Sequence, residues 1–138
     1  MHIHPHPLDW LHIESSFETV TGKQNGGAYL PLIPANKIKN TLRVEYDLKH
    51  LEKGNAFITL STALAQNKTS VFETETGGYS LLSAGFGGEI NVFKNTLQFQ
   101  ITGTNLTNKK YVNHLSRLKP DGIYDIGRNF SFSVSYTL

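Results

Sequence analysis

Polar and apolar positions alternate along most of this chain with a period of two, the repeat of an extended strand whose side chains point to opposite sides. The pattern is cleanest at the end. Phe130, Phe132, Val134, Tyr136 and Leu138 share one side, and Ser131, Ser133, Ser135 and Thr137 the other. Between Leu8 and Thr21, Leu11, Ile13, Ser15, Phe17 and Thr19 alternate with Trp10, His12, Glu14, Ser16 and Glu18. The run 36–48 sets Ile38, Leu42, Val44, Tyr46 and Leu48 against Lys39, Thr41, Arg43, Glu45 and Asp47, with Asn40 the exception on the apolar side. Shorter or less regular runs follow at 56–66, 79–93 and 97–102. The pattern predicts an all-β chain, an antiparallel up-and-down meander of about six long strands with no helix.

The connections alternate in length. They are long at 22–36, 67–78 and 108–127, and short at 49–55 and 94–96. Tight turns at one end and extended loops at the other are the layout of an outer-membrane barrel. Strands of roughly 10 to 14 residues suit a tilted crossing of a bilayer. Long polar residues such as Arg43, Glu45, Gln98 and Gln100 suit a wet lumen, and Tyr46, Tyr79, Phe93 and Tyr136 lie near strand ends, where an aromatic girdle belongs.

Composition narrows this picture without redirecting it. With 138 residues the chain is one domain or part of one, and a net charge of +2 provides no basic field for nucleic acid. It has no cysteine, which removes disulfide and thiolate chemistry. No apolar run reaches the roughly 20 residues of a membrane helix. The N-terminus lacks the basic and apolar regions of a signal peptide.

Few residues suggest chemistry. His2, His4 and His6 share one side of an extended chain and are weak candidates for a zinc or nickel site, against a plain turn broken by Pro5 and Pro7. Glu14 and Glu18 would stand about 13 Å apart in a strand, too far to cooperate as acid and base. Gly85-Phe86-Gly87-Gly88 has no following helix or Lys-Ser/Thr pair, so it is no phosphate loop. These observations predict no enzyme and no cofactor.

Several segments together resemble a known family. The closing strand Phe130–Leu138 is similar to the last strand of outer-membrane β-barrels, with Leu138 where Phe is commonest. Asn105-Leu106-Thr107-Asn108-Lys109-Lys110-Tyr111 resembles the "NLFDKKY" segment of TonB-dependent receptors, and Gly127-Arg128-Asn129-Phe130 resembles the "GR-x-F" that opens their last strand. His4-Pro5-His6-Pro7-Leu8-Asp9-Trp10-Leu11 and Leu30-Pro31-Leu32-Ile33-Pro34-Ala35 are similar to earlier segments of the same barrels, above all in Bacteroidetes-like receptors. The resemblance spans nearly the whole chain.

It implies a transmembrane barrel of about 22 strands around a plug, in the outer membrane of a Gram-negative bacterium. Such receptors import iron–siderophores, cobalamin or oligosaccharides with energy passed on by TonB. Residues 1–138 would be a C-terminal fragment, with Met1 an internal or truncated start and the plug and earlier strands missing. Alone it would not transport, since about eight strands is the practical minimum for a barrel. Its partners would be membrane lipid, the remaining strands and plug, TonB through that plug, and the barrel-assembly machinery. That machinery would read Phe130, Phe132, Val134, Tyr136 and Leu138. The long loops would face outward, making Tyr111, His114, Arg117, Lys119 and Tyr124 the candidate ligand contacts, against a reading of them as ordinary solvated residues. Arg128 would bond to neighbouring loop carbonyls or carboxylates. The alternative, from a different class, is a small soluble barrel that binds a hydrophobic ligand, as lipocalins and fatty-acid-binding proteins do; it needs eight or ten strands.

Overall fold

The computed structural model describes residues 1–3, 8–92 and 95–137. They form β1 (His2–Ile3), β2 (Leu11–Glu18), β3 (Lys37–Leu48), β4 (Leu51–Ala63), β5 (Tyr79–Val92), β6 (Asn95–Thr104) and β7 (Asn129–Thr137). A short 3-10 turn, Lys119–Asp121, lies in the last loop. All seven strands pair antiparallel with their sequence neighbours in one sheet, ordered β1 to β7. The meander is therefore observed, with a two-residue strand added before the six long ones. His4, His6, Phe93 and Leu138, which the sequence analysis singled out, lie outside the described residues.

Register carries the sequence alternation across the whole sheet. Leu11 faces Val44, Ile13 faces Leu42 and Phe17 faces Ile38. Leu42 in turn faces Ile58, Ile58 faces Ala84, Phe86 faces Ile101 and Ile101 faces Phe132. One side of the sheet is thus apolar from β2 to β7. The exceptions on it are satisfied in pairs: Ser15 Oγ donates to Asn40 Oδ1 at 2.8 Å, and the hydroxyls of Thr62 and Ser80 bond at 2.9 Å. The other side carries Lys37, Lys39, Thr41, Arg43 and Glu45 on β3 and Ser131, Ser133 and Ser135 on β7.

On β4, Thr59 of the polar side is 8% exposed, whereas its neighbours Ile58 and Leu60, pointing the other way, are 45% and 44% exposed. Gly85 on β5 also belongs to the polar side, opposite Phe57. A Cβ there would come within 2.7 Å of both the Phe57 ring and the Ile101 carbonyl oxygen, so the position admits only glycine without rearrangement.

The expected break at 51–55 is instead the start of β4. Leu48 pairs with Leu51 across a two-residue turn, and the register then shifts before Tyr46 pairs with Gly54. The bulge takes up the extra residues: Lys53 adopts φ 48°, its N–H donates to Asp47 Oδ1 at 2.8 Å, and its ammonium lies 3.0 Å from Glu89. Sequence periodicity reads such a bulge as an interruption, although pairing continues through it. Likewise Asn95 and Thr96, expected in a turn, already belong to β6.

Candidate functional site

Three long loops leave the same end of the sheet, spanning 19–36, 64–78 and 105–128. The third is closed by two asparagines. Asn105 and Asn108 adopt φ 48° and 52°, the left-handed region that asparagine enters more readily than most residues. Asn105 is buried, accepting the Lys109 N–H at 2.8 Å and donating to the carbonyls of Lys109 at 2.9 Å and Ile126 at 3.4 Å. Asn108 Oδ1 accepts the Arg128 N–H at 3.0 Å. Both ends of the loop are thereby tied together. Arg128 takes part through its backbone, and its guanidinium bonds to no loop carbonyl or carboxylate among the described residues.

The loops are also bonded to one another. Gln66 donates its amide to the carbonyls of Ile33 and Pro34 at 2.9 and 3.1 Å, joining the second loop to the first. Glu73 accepts the Leu32 N–H at 2.8 Å, and its other oxygen accepts the Ser70 N–H and hydroxyl at 3.2 and 3.1 Å. The Leu32 amide foremost, then Ser70 and the adjacent His114, hold the Glu73 carboxyl below the usual carboxylate range against an opposing effect of burial.

His114 connects the third loop to this cluster. Its Nδ1 lies 2.8 Å from Thr76 Oγ1 and 3.3 Å from Lys119 Nζ, and Lys119 also donates to the Thr74 carbonyl. A neighbouring ammonium makes Nδ1 an acceptor, which puts the ring proton on Nε2, 3.8 Å from Glu73 Oε1. Burial, then Lys119, pushes the His114 pKa below its ordinary value, and Glu73 offsets part of that.

The five expected loop contacts therefore separate. His114 is buried inside the loop network, and Lys119 is engaged there. Arg117 is exposed, with no hydrogen bond or ion pair among the described residues. Tyr124 is exposed beneath Lys110, whose ammonium lies 5.9 Å from the ring centroid. Tyr111 alone reaches the polar side of the sheet. It meets Tyr79, with ring centroids 4.5 Å apart and planes tilted by 37°. Register puts Tyr79 opposite Ala63 on that polar side, which removes it from an outward aromatic girdle.

Beside the two tyrosines is an open recess of about 370 Å³, lined also by Glu18, Lys37, Lys39 and Asn113. Sequence reasoning had left Lys37, Glu73, Gln66, Thr76 and Asn113 out of any site. The alternation could have flagged Lys37 and Lys39 as two cations on one side. Glu73, Gln66 and Thr76 had no such signal, because each has a partner 32 to 41 positions away, and Asn113 is bonded to Asp125 twelve positions on. Among the described residues no three His, Cys, Asp or Glu side chains gather into a metal-binding group. No protein-family model matches the chain, and no curated protein matches it.

Proposed function

We propose that residues 1–138 are barrel wall from a TonB-dependent outer-membrane receptor, working with further strands and a plug in the uptake of an iron–siderophore or a similar large nutrient. One observation carries this reading: the apolar side of the sheet is uncovered. Ala63 is the one hydrophobic residue buried among the described residues, while Phe130 and Phe132 are 67% and 68% exposed. An uncovered apolar surface of this extent is costly in water, at about 25 cal/mol per Å². Lipid removes that cost. Loop lengths, closure of the last loop by Asn105 and Asn108, and the polar residues on the other side of the sheet support the same reading.

The soluble-barrel alternative would enclose the apolar side in an interior instead of setting it against lipid. Lipid exposure of individual positions is the test. The chain has no cysteine, so single cysteines at Phe132 and Ser133 can each carry an environment-sensitive fluorophore. After reconstitution with brominated lipid, the label at 132 is expected to be strongly quenched and that at 133 hardly at all. Equal quenching at both positions, or none at 132, sinks the membrane reading.

A further inference from the structure

We infer that the recess between Lys37, Lys39 and the Tyr79–Tyr111 pair binds a small ligand that carries a carboxylate on a ring. The inference rests on the proposed function only in taking the polar side as the wet lumen.

Lys37 and Lys39 are two residues apart on one strand, so both side chains leave the same side of the sheet about 7 Å apart along it. Both are exposed, and neither has a carboxylate within ion-pair distance among the described residues. Register puts Glu18 opposite Lys37 and the neutral Ser16 opposite Lys39, so Lys39 is the less compensated charge. Two ammonium groups in one recess favour an anion.

The rest of the lining suits a ring. Tyr79 and Tyr111, packed on each other, both line the recess, where a sugar or an aromatic ring can pack against them. Burial first, and then Asp125, raises the Tyr111 pKa, so its hydroxyl stays a hydrogen-bond donor. Asn113 adds another donor. Its Oδ1 already accepts the Leu115 N–H at 3.0 Å, which leaves its amide N–H groups without a partner among the described residues.

This lining is held in place before any ligand arrives. Asn113 N–H donates to Asp125 Oδ2 at 2.6 Å, and Asp125 N–H donates to the Tyr111 carbonyl at 3.0 Å. A recess of about 370 Å³ fits one ring and its acid group.

The test is titration of the full chain, refolded in detergent micelles, with glucuronate and benzoate and with their neutral counterparts glucose and benzyl alcohol. Calorimetry or ligand-observed NMR reads the affinity, and circular dichroism checks that strands have formed. The expected result is that at least one acid binds about fivefold or more tightly than its neutral counterpart, with the stronger acid identifying a sugar or an aromatic source. Lys39→Gln is expected to weaken that acid by about fivefold, and Lys37→Gln by less. Tyr111→Ala provides a second variant, expected to weaken acid and neutral ligand together. Equal binding of acids and neutral compounds, no change with Lys39→Gln, or no acid binding by a strand-forming preparation overturns the inference. The lipid-quenching result is read separately. Acid binding without quenching at 132 would remove the receptor reading and leave this recess standing; quenching without acid binding would do the reverse.

Discussion

The strand wall and the loop crown of this molecule are held by different kinds of interaction. In the wall, β2 to β7 are joined by backbone ladders, and each side chain has many equivalents: Phe132 and Val134 do similar things on the apolar side, Ser131 and Ser133 on the polar one. In the crown, loops 19–36, 64–78 and 105–128 depend on individual side chains with unique partners. Gln66, Glu73, Asn105 and His114 each bond to particular backbone or side-chain groups of the loops. Apart from close-packed glycines such as Gly85, a wall of this kind tolerates substitutions that respect its side, whereas the crown tolerates few at those positions.

The comparison can be broken most sharply in the wall. In lipid, Phe132→Arg is expected to cost about 2–4 kcal/mol, because it sets a charge on the apolar side, while Ser133→Arg one position on stays within about 0.5 kcal/mol. Unfolding midpoints of the two variants in lipid vesicles check this, and similar costs for both would erase the distinction between the sides.

In the crown, Asn105→Ala is expected to cost about 2 kcal/mol: it removes the buried side chain that pairs the Lys109 amide and the Lys109 and Ile126 carbonyls, and puts a Cβ residue without asparagine's local bonds at φ 48°. Asn105→Gly, which relieves the backbone but restores no bond, should recover about 1 kcal/mol of that. Thermal unfolding of both variants measures the split between the two contributions.

The smallest effect is expected from acid. The folded crown keeps His114 below its ordinary pKa of 6.5, so an opened crown binds the proton more readily. The stability that neutral His114 contributes is complete above that value and is lost as pH falls below it toward the depressed folded pKa. Glu73, lowered from 4.5, acts in the same sense further into acid. Proteolytic cleavage of the long loops should therefore quicken modestly between pH 7.5 and 5.5, and His114→Gln should flatten that dependence.

This difference also explains what could be read from the chain. Strand positions were legible because a pleated strand imposes a strict period of two and the turns between strands are short. Loop segregation followed from the same reading. Where the wall departs from the period, at the Lys53 bulge, periodicity shows a break although pairing continues through it. Tyr79 was misassigned for a related reason, since a residue at a strand end has little alternation around it to set its side. In the crown, Tyr111 and His114 were picked out by residue type alone. The structure separates them, burying His114 in a polar network and turning Tyr111 into the recess.

By itself the sequence determined which side chains share a side of each strand, and hence that one sheet would have an apolar and a polar surface. Local geometry suffices for that, because neighbouring residues in an extended chain must point opposite ways. Only the tertiary structure decided the bulge, the asparagine-closed loop and the meeting of Lys37, Lys39, Tyr79 and Tyr111. Each depends on contacts between segments far apart in the chain, and no period along the sequence records them.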